Sequence, residues 1–209
     1  MAVKYIAVEG SIGVGKTSLS RMLTNHYNGR LVTEHHEANP FLNDFYKNRR
    51  RYAFQAQIFF LLSRFKQQQE FLSGELLASH VISDYFFGKD RIFATLNLSP
   101  DELTLYDRVA SLLEKSIPLP DLVIYLTASP DVLMNRIKKR GRSAEKNIDM
   151  DYLASVNESY SKYFFHFNHT PLLVINTEHV DFSIEPDRFE YLIDKIENMK
   201  SGTSYLVPS

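Results

Sequence analysis

Gly10-Ser11-Ile12-Gly13-Val14-Gly15-Lys16-Thr17 is the segment of this sequence whose residue types and spacing carry the most chemistry. It fits G-x-x-x-x-G-K-[ST] at every fixed position. An apolar run, Tyr5 to Val8, precedes it, and Leu19, Met22, Leu23 and Tyr27 follow at helical spacing. The glycines let backbone N–H groups turn inward around phosphate oxygens, and Lys16 adds a cation. The Thr17 hydroxyl can coordinate magnesium at the positive end of the helix. The expectation is a nucleoside triphosphate site, with ATP and Mg²⁺ as its occupants.

Such a site leaves the fate of the phosphate open. No Asn-Lys-x-Asp run of the kind that reads guanine is present, and Leu72-Ser73-Gly74 is too little to resemble a transporter ATPase signature. A signalling switch is therefore disfavoured.

The acceptor side rests on other residues. Glu34 follows the run Leu31 to Thr33, and Asp84 follows Val81 to Ser83; ligands of open α/β sheets sit beyond such strand ends. There Glu34 can accept or position a hydroxyl proton, and Asp84 can hold magnesium directly or through water. The alternative for each is a loop acid or a helix cap. A helix is predicted from Tyr52 to about Glu70, apolar nearly all round between Ala53 and Phe65 and so buried on most faces. On it Gln57 and Arg64 lie two turns apart and point the same way. Both need polar partners once buried: side chains of the same protein, or the donor and acceptor edge of a heteroaromatic ring.

Arg136 and Arg140 share a helix face, while Gly141 permits a break that leaves Arg142 and Glu145 on a mobile segment. That suits a lid whose arginines close over a triphosphate and exclude water. A basic helix C-terminus favoured by the macrodipole explains Lys138 and Lys139 equally well, but explains Glu145 poorly. His35-His36 and His166-x-x-His169 lack the further ligands of a transition-metal site and read as solvated or core-edge residues. Phe164, Phe165 and Phe167 read as core.

The elements that must position these residues alternate. Short β-rich runs, Tyr5 to Val8, Leu31 to Thr33, Val81 to Ser83, Leu122 to Thr127 and Leu172 to Ile175, are separated by helical patterns or longer polar segments. This order implies an α/β fold with a parallel sheet. Helix starts are signalled at Ser99-Pro100-Asp101-Glu102 and near Ser129-Pro130-Asp131, and a last amphipathic helix follows Pro186. No repeat or domain boundary is evident, so residues 1–209 read as one domain with 200–209 a loose tail.

Composition bounds the function. With 44% apolar and 23% charged residues the chain is globular, and a formal charge of -1 gives no global pull toward nucleic acid or anionic membrane. The absence of cysteine rules out disulfides, Cys-ligated zinc and thiol catalysis, and fits a reducing compartment. The start has no signal-peptide pattern and no segment offers 18 apolar residues, so the expected location is the cytoplasm.

Taken together, the residues resemble the deoxyribonucleoside kinase family, specifically its bacterial deoxyadenosine and deoxyguanosine kinase branch. The resemblance runs from Tyr5 to about Asn176. Its pieces are Gly10 to Thr17, Glu34 with Asn39-Pro40-Phe41-Leu42, Tyr46, Gln57 with Leu62-Ser63-Arg64, Ser83-Asp84-Tyr85-Phe86 with Lys89 to Ala94, and Arg140-Gly141-Arg142 with Glu145. It implies a P-loop fold with a five-stranded parallel sheet in the order 2-3-1-4-5, flanked by helices and carrying an Arg-rich lid. It also implies transfer of the ATP γ-phosphate to the 5′-hydroxyl of a purine deoxynucleoside.

In that resemblance ATP contacts run from Gly10 to Thr17 and on to Ser18, with Arg140 and Arg142 from the lid. Glu34, Lys16, Arg136, Arg140 and Arg142 match the catalytic set, with Glu34 as general base. Gln57 matches the amide that reads the base, Phe93 an aromatic packed on it, and Tyr46 and Glu145 the pair on the sugar 3′-hydroxyl. Arg64 matches an arginine near base and carboxylate, while Thr17 and Asp84 fall on the metal side, with Asp84 also a substrate-contact candidate. Many family members carry Glu-Arg-Ser where this chain has Ser83-Asp84-Tyr85. Asp84 then replaces either the acid or the arginine, and its place at a strand end favours the acid. The family is usually dimeric, and the apolar helix surface near Phe59 and Phe60 would suit a homodimer. The competing readings are a thymidylate-kinase-like monophosphate kinase, which normally has an arginine where Tyr85 stands, and a regulatory module that holds ATP without transferring phosphate.

Overall fold

The computed structural model describes residues 3–34, 36–74, 79–180, 182 and 184–206, so Met1, Ala2, His35 and the last three residues of the tail lie outside the described residues. A central parallel sheet has the order β2-β3-β1-β4-β5-β6. Its strands are β1 (Tyr5–Gly10), β2 (Arg30–Val32), β3 (Val81–Ser83), β4 (Leu122–Thr127), β5 (Leu172–Asn176) and β6 (Thr203–Leu206). β1 lies at the centre and is buried at every residue, as an apolar strand covered by helices on both faces must be. Ile6 pairs with Ile82 of β3 on one side and Leu122 of β4 on the other, which brings the carboxyl ends of β1, β2 and β3 to one edge.

The helices are α1 (Lys16–His26), α2 (Leu42–Lys47), α3 (Arg49–Gly74), α4 (Lys89–Asn97), α5 (Pro100–Glu114), α6 (Pro130–Arg140), α7 (Met150–Phe165) and α8 (Pro186–Asn198). α5 opens on the capping box that Ser99 and Glu102 signal, with Pro100 in its first turn. α6 ends at Gly141, whose φ of 70° is a left-handed cap that a Cβ would disfavour.

The main core fills the space around β1, β4 and β5. Tyr125 stacks on Phe164 with ring centroids 4.2 Å apart, and Phe86 meets Phe167 edge to face. A second cluster, Leu61, Phe87, Ala94, Tyr106 and Ala110, holds α3, α4 and α5 together.

Two expectations are corrected. The sheet has six strands rather than five, because Thr203–Leu206, expected in a loose tail, pairs in parallel with β5. β5 otherwise leaves an open edge, and the added strand satisfies it while burying Leu206. Four residues of mixed polarity carry no legible period. The second correction is Phe165, which is 83% exposed while Phe164 and Phe167 are core. Phe164 and Phe165 are neighbours at the end of α7 and point about 100° apart, so burying Phe164 turns Phe165 away from the core.

Candidate active site

The turn from β1 into α1 forms the phosphate loop. Gly13 has φ 86°, and a Cβ there would stand 2.9 Å from both Leu133 O and Ile137 Cγ1, so the loop seats on α6 only with glycine. Gly15, at φ 109°, faces open space. Lys16 Nζ donates to Gly10 O at 2.7 Å and Ser11 O at 3.1 Å. Burial, with repulsion from Lys89, lowers the Lys16 pKa to about 8, and Glu9, Glu34 and Asp84 partly oppose the fall.

Thr17, Asp84 and Glu34 meet at the carboxyl edge of the sheet. Thr17 Oγ1 donates to Asp84 Oδ2 at 2.7 Å, and the Glu34 backbone N–H donates to Asp84 Oδ1 at 2.7 Å. The Glu34 carboxylate is gripped from two sides. Arg64 on α3 donates to Oε1, and Lys89 Nζ at the start of α4 donates to Oε2 at 2.6 Å. Burial would raise the Glu34 pKa, but the Arg64 and Lys89 charges overcome it and hold the carboxyl far below the usual range. Glu34 is thus an anion under all ordinary conditions. Arg64 is itself 3% exposed and also pairs with buried Asp90.

Two turns before Arg64, Gln57 is 3% exposed and its Oε1 has no hydrogen-bond partner among the described residues. Arg64 therefore finds its partner inside the protein, whereas the amide of Gln57 keeps an open acceptor. Phe93 on α4 is half-buried and meets Tyr160 edge to face.

Glu145 lies in a short 3₁₀ turn, Ser143–Asn147, that packs against α2. Arg140 Nη2 donates to both its oxygens at 2.7 and 2.8 Å, and Arg142 lies 3.6 Å away. Tyr46 on α2 is near enough that, after burial and Tyr152, the Glu145 and Glu34 charges help keep its hydroxyl protonated. Arg136 stands apart from the lid pair: it donates to Thr177 O at 2.6 Å, to Thr177 Oγ1 at 3.2 Å and to Val14 O at 3.4 Å. It braces the phosphate loop against the chain that leaves β5.

A hard cation fits beside Thr17. That hydroxyl and Asp84 form an all-oxygen pair, and among the described residues no group of three or more acids or histidines offers a full cage. Mg²⁺ characteristically takes one or two protein oxygens and completes its shell with phosphate and water.

A profile of the deoxynucleoside kinase family matches residues 6–201. The chain belongs to the deoxynucleoside kinase family. It is an enzyme of that kind. Deoxyguanosine kinase of Bacillus subtilis is 40% identical over 157 residues, covering 75% of this chain and 76% of the relative. Deoxyadenosine/deoxycytidine kinase of the same organism is 29% identical over 202 residues, covering 93% and 92%. The structure of deoxyadenosine kinase from M. mycoides with bound dATP superposes with a TM-score of 0.77 at 27% identity, covering 92% of this chain and 98% of that one.

Several residues of this family member's site carry no motif of their own. Glu9, at the end of β1, is fully buried and accepts from the backbone N–H groups of Gly10 and Phe86 at 2.8 Å and from the Tyr160 hydroxyl at 3.1 Å. It joins the phosphate loop to the segment after β3. Lys89 and Asp90 fall in the stretch Lys89 to Ala94 that carries the family resemblance, but no role attached to them there; they reach the site because α4 begins beside α3. Met22, Thr177, Val180 and Phe182 line a cavity of about 270 Å³ with Gly13, Gly15, Ser18, Arg136 and Arg140. Their one readable signal is that Thr177, Val180 and Phe182 follow the carboxyl end of a strand.

Proposed function

We propose that this enzyme transfers the γ-phosphate of ATP to the 5′-hydroxyl of a purine deoxyribonucleoside, yielding the 5′-monophosphate and ADP. The observation that carries the reading is the site's polarity. A phosphate loop and an ionised Glu34 share one edge, and a buried amide with an open acceptor stands two turns from the arginine that grips Glu34. Names of relatives, deoxyguanosine kinase above all, support the purine.

In this reading the backbone from Gly10 to Gly15, with Ser11, Ile12, Gly13 and Val14 between them, cradles the phosphates, and Lys16, Thr17 and Ser18 extend the cradle. The 270 Å³ cavity takes the base and ribose of ATP. Thr17 and Asp84 hold Mg²⁺, which when bound neutralises phosphate charge. Gln57 reads the nucleobase, Phe93 packs on it, and Tyr46 and Glu145 hold the 3′-hydroxyl. Glu34 orients the 5′-hydroxyl and takes its proton. The 5′-oxygen bonds to the γ-phosphorus, and the bond to the bridging oxygen breaks with its electron pair staying on ADP. Arg140 and Arg142 stabilise the moving charge, and Arg136 keeps the phosphate loop in place. Catalysis is then mainly positioning and charge stabilisation.

Tyr85 supports a nucleoside acceptor over a monophosphate. It is fully buried and carries no cation, so it supplies none of the charge that an arginine there would bring to an acceptor phosphate. A single-domain homodimer in the cytoplasm completes the proposal. Exposed Leu62 on α3 and Leu105 and Leu112 on the adjacent α5, the last 68% exposed, support the dimer more directly than half-buried Phe59 and Phe60. Among the described residues no helix is long and apolar enough to cross a membrane.

The test is ADP release with Mg-ATP against deoxyguanosine, deoxyadenosine, deoxycytidine, thymidine and thymidine monophosphate. Turnover with a purine deoxynucleoside is expected. Activity with the monophosphate alone, or none across the panel, overturns the proposal.

A further inference from the structure

Lys89 is the first residue of α4, and its side chain is 7% exposed. Neither fact is explained by helix stability. The N-terminus of a helix carries positive partial charge and disfavours a cation, and burial of an ammonium is costly unless it is paired. The pairing it finds is with Glu34, at 2.6 Å. Arg64 already neutralises part of Glu34, but Arg64 is shared with Asp90, so the four side chains balance only with Lys89 included.

Lys89 also has donors to spare. An ammonium has three N–H groups, one of which goes to Glu34, and the other two have no partner among the described residues. The two flanking cations differ in this respect. Arg64 is engaged with two carboxylates, and Lys16 donates to two carbonyls of the phosphate loop. The Glu34 that Lys89 holds donates through its backbone N–H to Asp84 at 2.7 Å, and Asp84 accepts at 2.7 Å from Thr17, the residue after Lys16. Two ammonium groups, one from the phosphate loop and one from the acceptor carboxylate, thus face the same region. Tyr85, beside Asp84, brings no charge to it.

We infer that Lys89 is a catalytic residue whose ammonium bridges Glu34 and an oxygen of the phosphoryl group as that group passes from ATP to the 5′-hydroxyl, and that it then holds the 5′-phosphate of the product. The inference rests on the reading of Glu34 as the acceptor-side carboxylate. Lys89 only donates hydrogen bonds and transfers no proton. The hydroxyl proton goes to Glu34, and the electron pair of the broken bond leaves with ADP. Without Lys89, the anionic phosphoryl oxygens would approach a carboxylate compensated by a single, shared arginine.

The experiment compares the wild-type enzyme with Lys89→Met and Lys89→Arg, using steady-state kinetics with Mg-ATP and deoxyguanosine. Calorimetric titration with deoxyguanosine and with deoxyguanosine 5′-monophosphate accompanies it. For Lys89→Met a fall in kcat of about 10² to 10³ is expected, as for loss of one transition-state donor, with the deoxyguanosine KM held within about threefold. The monophosphate should bind at least about tenfold more weakly while nucleoside affinity hardly moves, and Lys89→Arg should recover at least about tenfold in kcat. Equal loss of nucleoside and monophosphate affinity would mark Lys89 as structural and overturn the inference, as would an unchanged kcat or an arginine variant no better than methionine. If wild-type enzyme turns over no deoxynucleoside, the proposed function itself fails and takes this inference with it.

Discussion

Asp84 joins Thr17 to Glu34. One of its oxygens accepts from the Thr17 hydroxyl and the other from the Glu34 backbone N–H, both at 2.7 Å. A single carboxylate at the end of β3 thus sets the spacing between the phosphate loop and the acceptor carboxylate. Movement of either would break a hydrogen bond to a charged group, among the stronger kinds in proteins.

Asp84→Asn keeps the shape of this bridge and removes its charge. The magnesium concentration for half-maximal rate is expected to rise at least about tenfold, with the fold intact by circular dichroism. An unchanged magnesium dependence would take Asp84 off the metal side.

Glu34→Gln substitutes an amide for an ionised carboxylate of nearly the same size. Turnover should drop by about 10² to 10⁴, the usual contribution of a positioned base, while ATP affinity by titration changes less than about threefold. Full turnover in this variant would remove Glu34 from the chemistry.

Gln57→Leu tests base reading. Because Gln57 Oε1 has no protein partner, its loss strands no other group, and the melting temperature should hold or rise. The deoxynucleoside KM should increase by about tenfold or more, the equivalent of about 1.4 kcal/mol, with the ATP KM unaffected. A parallel rise in both constants would argue against a base contact.

Glu178 supplies a pH-dependent tie at the start of α6. It accepts from the Ser129 hydroxyl and the Ser129 backbone N–H, both at 2.6 Å, and these bonds lower its pKa from the ordinary value of 4.5. A depressed folded pKa stabilises above the unfolded value, and that stability disappears as pH falls through the folded one. Urea denaturation should show Glu178→Gln less stable by about 1 kcal/mol at pH 7, after discounting for solvent exposure, with the gap closing as acid protonates the carboxylate. A gap that persists in acid would assign the effect to something other than the charge.

Leu206→Ala measures what β6 contributes. Leu206 is buried against the sheet edge, and its truncation should cost about 2 kcal/mol in urea denaturation, at the lower end for a core leucine. A loss near zero would mean that the strand pairs without adding to the core.

The phosphate loop was legible because its chemistry is local: eight consecutive residues hold the glycines, the cation and the hydroxyl, and strand and helix signals flank them. Glu34, Asp84 and Gln57 could be nominated from their positions on strand ends and on an unusually apolar helix. Glu9 could not, and Lys89 and Asp90, although they fall in the stretch Lys89 to Ala94 that carries the family resemblance, received no role from it. Glu9 directly precedes the loop as an unremarkable acid, and Glu9 and Lys89 acquire meaning from partners more than fifty residues away, Phe86 and Glu34. Val180 and Phe182 were hidden for the same reason, since a loop shows no period.

By itself the sequence determined the alternation of strands and helices, the phosphate loop, the helix caps and the family, all of which depend on short-range spacing and backbone preference. Tertiary structure alone decided that Arg64 pairs inward while Gln57 stays open, that Arg136 braces the loop rather than joining the lid pair, and that the tail closes the sheet as β6. Those outcomes depend on which side chains a parallel sheet and its crossover helices bring within about 3 Å of one another, and hydrogen bonding at that range is set by packing rather than by order along the chain.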